Sequence, residues 1–136
     1  MADNLIIMHG GGPTAVINAS LYGAIRQAQA APEVGRVYVA LGGTGGFLHE
    51  KLRDVTDLTD AQLHGLLSSP ASAIGTSRDA LEAPEYEAML PLFEKYGIRY
   101  VLMNGGNGTM DTCGKIYARC KEKDIRVIGI PKTMDN

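Results

Sequence analysis

Three clusters of glycine constrain this chain more than any other feature. Gly10–Gly12, Gly42–Gly46 and Gly105–Gly108 each follow a short apolar run. Glycine supplies 17 of 136 residues, well above the usual ~7%. No low-complexity tract or fixed-period repeat accounts for the excess, so its meaning lies in where the clusters fall.

The apolar runs read as strands and the stretches between them as helices. Leu5-Ile6-Ile7-Met8 is continuous and short, as expected of a strand buried on both faces. Helical spacing begins after Thr14, an acceptable N-cap, with Ile17, Leu21, Ala24, Ile25 and Ala28 on one stripe. Pro32 and Gly35 end it, and Arg36–Leu41 is the next strand. The residues from Thr44 to Ser77 give little periodic signal beyond a short helix within Leu58–Leu67, capped by Thr59 and stopped by Pro70. Ser68–Arg78 reads as an irregular loop. A further helix begins at Pro84, places Tyr86, Met89, Leu90 and Phe93 on one face, and ends at Gly97; Pro91 predicts a kink. Ile98–Met103 is a strand that opens onto the third glycine cluster. A helix from Thr109 to about Lys123 follows, with Met110, Cys113, Ile116, Tyr117 and Cys120 as its apolar stripe. Ile125–Ile130 is the last strand.

Strands alternating with helices predict an α/β fold of Rossmann-like kind, a parallel-rich sheet with helices on both faces, in three layers. Right-handed crossovers then bring the C-terminal ends of the strands to one edge, where ligands of open α/β sheets bind. The glycine clusters and the Pro131–Asn136 tail converge there.

Glycine at a strand-to-helix turn lets backbone N–H groups approach an anion, and the helix N-terminus adds favourable potential. The plainer alternative is a tight turn that needs positive φ. His9-Gly10-Gly11-Gly12-Pro13-Thr14 has this placement but matches neither the P-loop nor the Gly-x-Gly-x-x-Gly pattern. Gly105–Thr109 has it too. There Asn107 can offer a carbonyl to hydrated Mg²⁺ or donate to a phosphate, and Thr109 can cap the helix or bond the ligand. Arg78 ends Gly75-Thr76-Ser77-Arg78 and suits a phosphate, or is a solvated surface charge. Lys132 and Asp135 follow the last strand, where an Asp can take a hydroxyl proton and a Lys can stabilise a moving phosphoryl group; a helix-capping Asp beside a surface Lys is the alternative. His9, His49 and His64 lack metal-ligand spacing, and His9 reads as a hydrogen-bonding loop residue.

A net charge of −2 without a Lys/Arg block argues against nucleic acid as a partner. The apolar run near the N-terminus is too short for a signal peptide or a membrane span. Cys113 and Cys120, two helical turns apart, read as free thiols in a reducing cytoplasm.

Four segments together resemble 6-phosphofructokinase, and their order and spacing match along the whole chain. They are Gly10-Gly11-Gly12-Pro13-Thr14-Ala15-Val16-Ile17-Asn18-Ala19, Gly75-Thr76-Ser77-Arg78, Gly105-Gly106-Asn107-Gly108-Thr109-Met110-Asp111-Thr112 and Pro131-Lys132-Thr133-Met134-Asp135-Asn136. The resemblance implies a cytoplasmic, Mg²⁺-dependent enzyme that phosphorylates the 1-hydroxyl of fructose 6-phosphate in glycolysis. It implies that Asp135 is the catalytic base, aided by Lys132, with Thr133, Met134 and Asp135 touching the sugar phosphate. Gly11, Arg78, Asp79, Gly106, Asn107, Gly108 and Thr109 would hold the donor, and Asn107 the metal environment. Residues 1–136 would form the donor-nucleotide-binding domain and stop before the sugar-phosphate half, so that they turn over little alone. The full-length protein would be a homo-oligomer.

Two positions bear on the donor. ATP-using members of the resembled family usually carry Gly in the glycine loop and Gly before Thr-x-Asp, whereas diphosphate users usually carry Asp and Lys. This chain combines Gly108 with Lys132. An Asp at 108 would add bulk and charge where the α-phosphate of ATP lies, so Gly108 favours ATP. Asn107 stands where better-known ATP enzymes have Asp. Met110-Asp111-Thr112 and Pro13-Thr14-Ala15-Val16 resemble the diphosphate-type branch. A diphosphate-dependent phosphotransferase and a non-catalytic nucleotide-binding module are the alternatives. A dinucleotide-dependent oxidoreductase would need Gly-x-Gly-x-x-Gly and an acidic residue ending the second strand, and Leu41-Gly42-Gly43 supplies neither.

Overall fold

Leu5–Met8 is buried on both sides because it lies at the centre of a five-stranded sheet. The computed structural model describes residues 3–9, 15–67, 83–121 and 123–131. The strands are β1 (Asp3–His9), β2 (Val34–Ala40), β3 (Leu52–Asp54), β4 (Ile98–Gly105) and β5 (Arg126–Pro131). The helices are α1 (Ala15–Ala30), α2 (Gly43–Leu48), α3 (Asp60–Leu67), α4 (Ala83–Lys95) and α5 (Asn107–Cys120). The sheet order is β3-β2-β1-β4-β5, with every pair parallel except the antiparallel edge pair β2–β3.

Successive residues of each strand face opposite layers. Leu5 and Ile7 pack with Val37 and Val39 against Leu21, Ile25 and Ala28 of α1 and Leu63 of α3. Ile6 and Met8 pack with Val101 and Met103 against Phe47 of α2, Tyr86, Met89 and Phe93 of α4, and Cys113, Ile116 and Cys120 of α5. The fold is therefore a three-layer α/β sandwich. Both cysteines are free and buried, and burial pushes the Cys120 thiol up to about 11.

The helix ends follow local chemistry. Thr59 and Gln62 cap α3 reciprocally: the Gln62 N–H donates to Thr59 Oγ1 at 3.2 Å and the Thr59 N–H to Gln62 Oε1 at 2.9 Å. α4 runs through the exposed Pro91 and stops at Gly97, whose φ of 64° suits a left-handed C-terminal position. Asn4 holds that stop, its amide donating to the Tyr96 carbonyl at 2.7 Å and its backbone N–H to the Gly97 carbonyl at 3.0 Å.

Several features differ from the sequence reading. α2 and β3 fall where no periodic signal exists. A six-residue helix containing three glycines has poor propensity, and it forms because Phe47 stacks on Phe93 with centroids 5.2 Å apart. β3 is held at the edge by Arg36, which pairs with Asp54 at 2.7 Å. β2 begins at Val34, so Gly35 lies in the strand and Leu41 leaves it, 39% exposed. Tyr117, predicted for the buried stripe of α5, is 52% exposed, and Ile128 is 51% exposed because β5 is an edge strand. Thr14, Pro70 and the Ser68–Arg78 segment lie outside the described residues.

The second glycine cluster is accounted for by packing. Gly42 and Gly43 both have positive φ, at 89° and 68°. A Cβ on Gly46 would sit 1.7 Å from the Leu41 carbonyl oxygen, whereas one on Gly23, in α1, meets nothing within 4 Å. Gly46→Ala is expected to destabilise the fold by at least about 3 kcal/mol. Gly23→Ala is expected to stabilise it by about 0.5–1 kcal/mol. Urea titration of the two variants against the parent measures both; a tolerated Gly46→Ala would refute the packing account.

Candidate functional site

The strand order reverses direction at β1. From β1 the chain crosses to β2 on one side, and from β4 to β5 on the other, with α1 and α5 on opposite faces. Ligands of open α/β sheets bind beyond the strands' C-terminal ends at such a switch point. The paired ends of β1 and β4 lie there, with Met8 in register with Met103 and His9 with Asn104.

His9 and Asn104 are both 0% exposed, with His9 Nε2 3.4 Å from the Asn104 amide nitrogen. His9 is thus a strand residue, not a loop residue as its sequence position beside Gly10 suggests. Burial alone lowers its pKa from 6.5 to about 4, so the ring is neutral near pH 7.

The third glycine cluster is more ordered than a loop. Gly105 is the last residue of β4, Gly106 is the N-cap of α5 with φ −83° and ψ −161°, and Asn107 and Gly108 already belong to the helix. The predicted start at Thr109 is therefore two residues late. Thr109 is buried in the first turn and is not the cap. The first intrahelical bond runs from the Met110 N–H to the Gly106 carbonyl at 3.0 Å. Gly106 brings no side chain to the cap, and the first turn contains no acidic residue. The backbone N–H groups of Asn107, Gly108 and Thr109 thus form the positive end of a 14-residue helix with no capping side chain among the described residues, a geometry suited to an anion.

The tail is attached at the same place. Gly105 is in register with Pro131, the residue before Lys132. Of the predicted site residues, the structure describes Gly106, the backbone of Asn107 and Gly108, and Thr109, and brings them to one turn. Gly11, Arg78, Asp79, Lys132, Thr133, Met134 and Asp135 lie outside the described residues. The sequence reading did not foresee Asn104 at the paired strand ends; its position one residue before Gly105, on a strand predicted to pair centrally, was the available signal.

Metal binding has a limited donor set. Among the described residues no three His, Cys, Asp or Glu side chains gather as ligands. By sequence, the first residue of α5 is an asparagine, Asn107. Mg²⁺ commonly takes most of its ligands from water and substrate phosphates, and this set fits an ion that arrives with a phosphorylated ligand.

Comparison with known proteins agrees with this geometry. The family described as Phosphofructokinase matches residues 4–136. The pyrophosphate–fructose 6-phosphate 1-phosphotransferase of Rhodospirillum rubrum is 33% identical over 97% of this chain and 33% of its own length. The pyrophosphate-dependent phosphofructokinase of Nitrosospira multiformis superposes with a TM-score of 0.90 at 36% identity, over 100% of this chain and 35% of its own. The ATP-dependent 6-phosphofructokinase 3 of Bacteroides thetaiotaomicron is 29% identical over 96% of this chain and 39% of its own. The chain thus spans about a third of the length of the curated relatives it matches.

The buried neutral His9 gives the fold a pH signature. Its folded pKa lies below the unfolded value, so between about pH 6.5 and 4 the unfolded chain binds a proton that the folded chain does not. Stability should fall on acidification through that window, by on the order of 3 kcal/mol from this residue, and level off below it. His9→Gln should flatten that part of the profile. Urea midpoints at pH 7 and pH 4.5 measure the difference, and equal slopes in parent and variant would contradict it.

Proposed function

Because the chain belongs to the phosphofructokinase family, we propose that the full-length protein transfers a phosphoryl group from ATP to the 1-hydroxyl of fructose 6-phosphate. The observation that carries this reading is the N-terminus of α5 at the sheet's switch point, whose first turn has no acidic residue and whose N-cap, Gly106, brings no side chain. A helix end of this kind binds phosphate through backbone donors and costs no reorganisation when negative charge arrives.

In this proposal Gly11, Arg78, Asp79 and Gly106–Thr109 hold the donor, and Thr133, Met134 and Asp135 the sugar phosphate. Asp135 accepts the proton as O1 attacks the terminal phosphorus, the bond to the leaving phosphate oxygen breaks, and Lys132 balances charge on the group in transit. Mg²⁺ carried by the donor, near Asn107, would offset the charge of the phosphates. Residues 1–136 form the donor side, and the remainder of the protein completes the sugar site.

ATP is preferred on the chemistry of one position. An Asp at 108, the second residue of α5, would add bulk and negative charge where the α-phosphate of ATP lies in this reading, a group that diphosphate lacks, and Gly108 leaves that space open. The second reading, diphosphate as donor, is favoured by the names of the relatives at 33–36% identity and by Lys132.

With full-length protein, turnover of fructose 6-phosphate with ATP·Mg is expected to exceed that with diphosphate·Mg. Gly108→Asp should lower kcat/KM for ATP by at least about tenfold. Undiminished ATP use in that variant would remove the argument for ATP. Asp135→Asn should lower kcat by about 10²–10⁴-fold while donor affinity is kept; a variant that still turns over at the parent's rate is incompatible with Asp135 as base.

A further inference from the structure

We propose that Gly129 is a positioning residue: by carrying no side chain, it seats the first turn of α5 against β5. It thereby fixes where that helix end presents its N–H groups to the phosphoryl donor. The inference rests on the reading above, that the N-terminus of α5 holds a donor.

Gly129 is out of character for its strand. Its neighbours in β5 are Val127, Ile128 and Ile130, and a glycine inside a strand costs entropy and packs nothing. The backbone does not call for it, because its φ lies outside the left-handed region. What excludes a side chain is α5. A Cβ at 129 would lie 2.7 Å from Met110 Sδ, 3.3 Å from Met110 Cε and 3.5 Å from Cys113 Sγ. Ordinary van der Waals contact for a Cβ spans 3.4–4 Å, so Cys113 would accept the methyl group. The overlap, on the order of 1 Å, falls on Met110.

Met110 carries that overlap to the donor turn. Its N–H closes the first turn of α5 on the Gly106 carbonyl at 3.0 Å, and Thr109 beside it is buried. Rotating the terminal methyl moves Cε but leaves Sδ in place, so relief needs a change nearer the backbone or a movement of the turn. Helical χ1 rotamers are few, and Met110 and Cys113, three residues apart, share the face turned to β5. A methyl group on β5 therefore pushes the first turn outward. Backbone N–H donors keep a good hydrogen bond over only about 0.5 Å of distance, and a displacement near 1 Å can cost about a hundredfold. Gly114, in the same helix, is the contrast: a Cβ there meets nothing within 4 Å.

The test uses the full-length protein with Gly129→Ala, Met110→Ala, the double variant and Gly114→Ala. Binding of ATP·Mg and diphosphate·Mg is measured by calorimetry, alongside urea midpoints and the KM for fructose 6-phosphate. Gly129→Ala should weaken donor binding at least about tenfold while the KM for fructose 6-phosphate stays within about twofold. In the double variant the sulfur is gone and the new methyl meets Cys113 Sγ at ordinary contact, so the donor Kd should return to within about threefold of the parent's. Met110→Ala alone should lower the urea midpoint and keep the donor Kd in that same range. Gly114→Ala should raise the midpoint and leave the donor Kd unchanged. A folded Gly129→Ala that binds the donor like the parent would overturn the proposal, because the thioether alone has then moved. So would a donor loss that Met110→Ala does not relieve, or equal losses for donor and sugar, which place the displacement in β5. Should Gly129→Ala not fold, the double variant decides: the parent's donor affinity supports the proposal and a weakened one refutes it. A parent whose donor binding depends on position 129 as expected but which does not phosphorylate fructose 6-phosphate would overturn the proposed reaction and leave this inference standing. A parent that binds neither donor would overturn both.

Discussion

The structure depends on the parallel pairing of β1 with β4. Both strands are buried in the middle of the sheet, and their residues feed the two apolar layers alternately. β1 sends its chain to one face and β4 to the other, so the helices that follow them cover opposite sides. Parallel strands also place both C-terminal ends at one edge.

The glycine clusters serve two different ends. At Gly42–Gly46 the backbone needs the residue: two positive φ angles turn the chain, and Gly46 lies against the Leu41 carbonyl with no room for a Cβ. That cluster builds the α2–β3 excursion and needs no ligand to explain it. Gly106 is different, since its φ is negative and any residue can adopt its extended conformation. Its contribution is the missing side chain, which brings no cap to the first-turn N–H groups of α5.

Electrostatics at the site follow from the same economy. The first turn of α5 contains no acidic side chain, and Asp111, one turn on, is paired with Lys115 at 3.1 Å. Among the described residues, the potential favourable to an anion at this turn comes from the backbone dipoles of α5. At the end of β1, His9 is held neutral by burial, so it adds no charge of its own near pH 7.

The sequence by itself determined the α/β class, the central strands and the strand-to-helix placement of Gly105–Gly108, because apolar runs and helical periodicity are local signals. It also determined the Thr59 cap and the Gly97 stop, which depend on the chemistry of a few neighbouring residues. Tertiary structure alone decided α2, which owes its existence to Phe47 on Phe93, and β3, an edge strand fixed by Arg36 and Asp54. It alone decided which apolar residues were covered, leaving Tyr117 of α5 and Ile128 of β5 exposed. It also converted the third glycine cluster from a loop into a helix start. The meeting of His9 with Asn104 was beyond any local pattern, since 95 residues separate them and only the β1–β4 register brings them together.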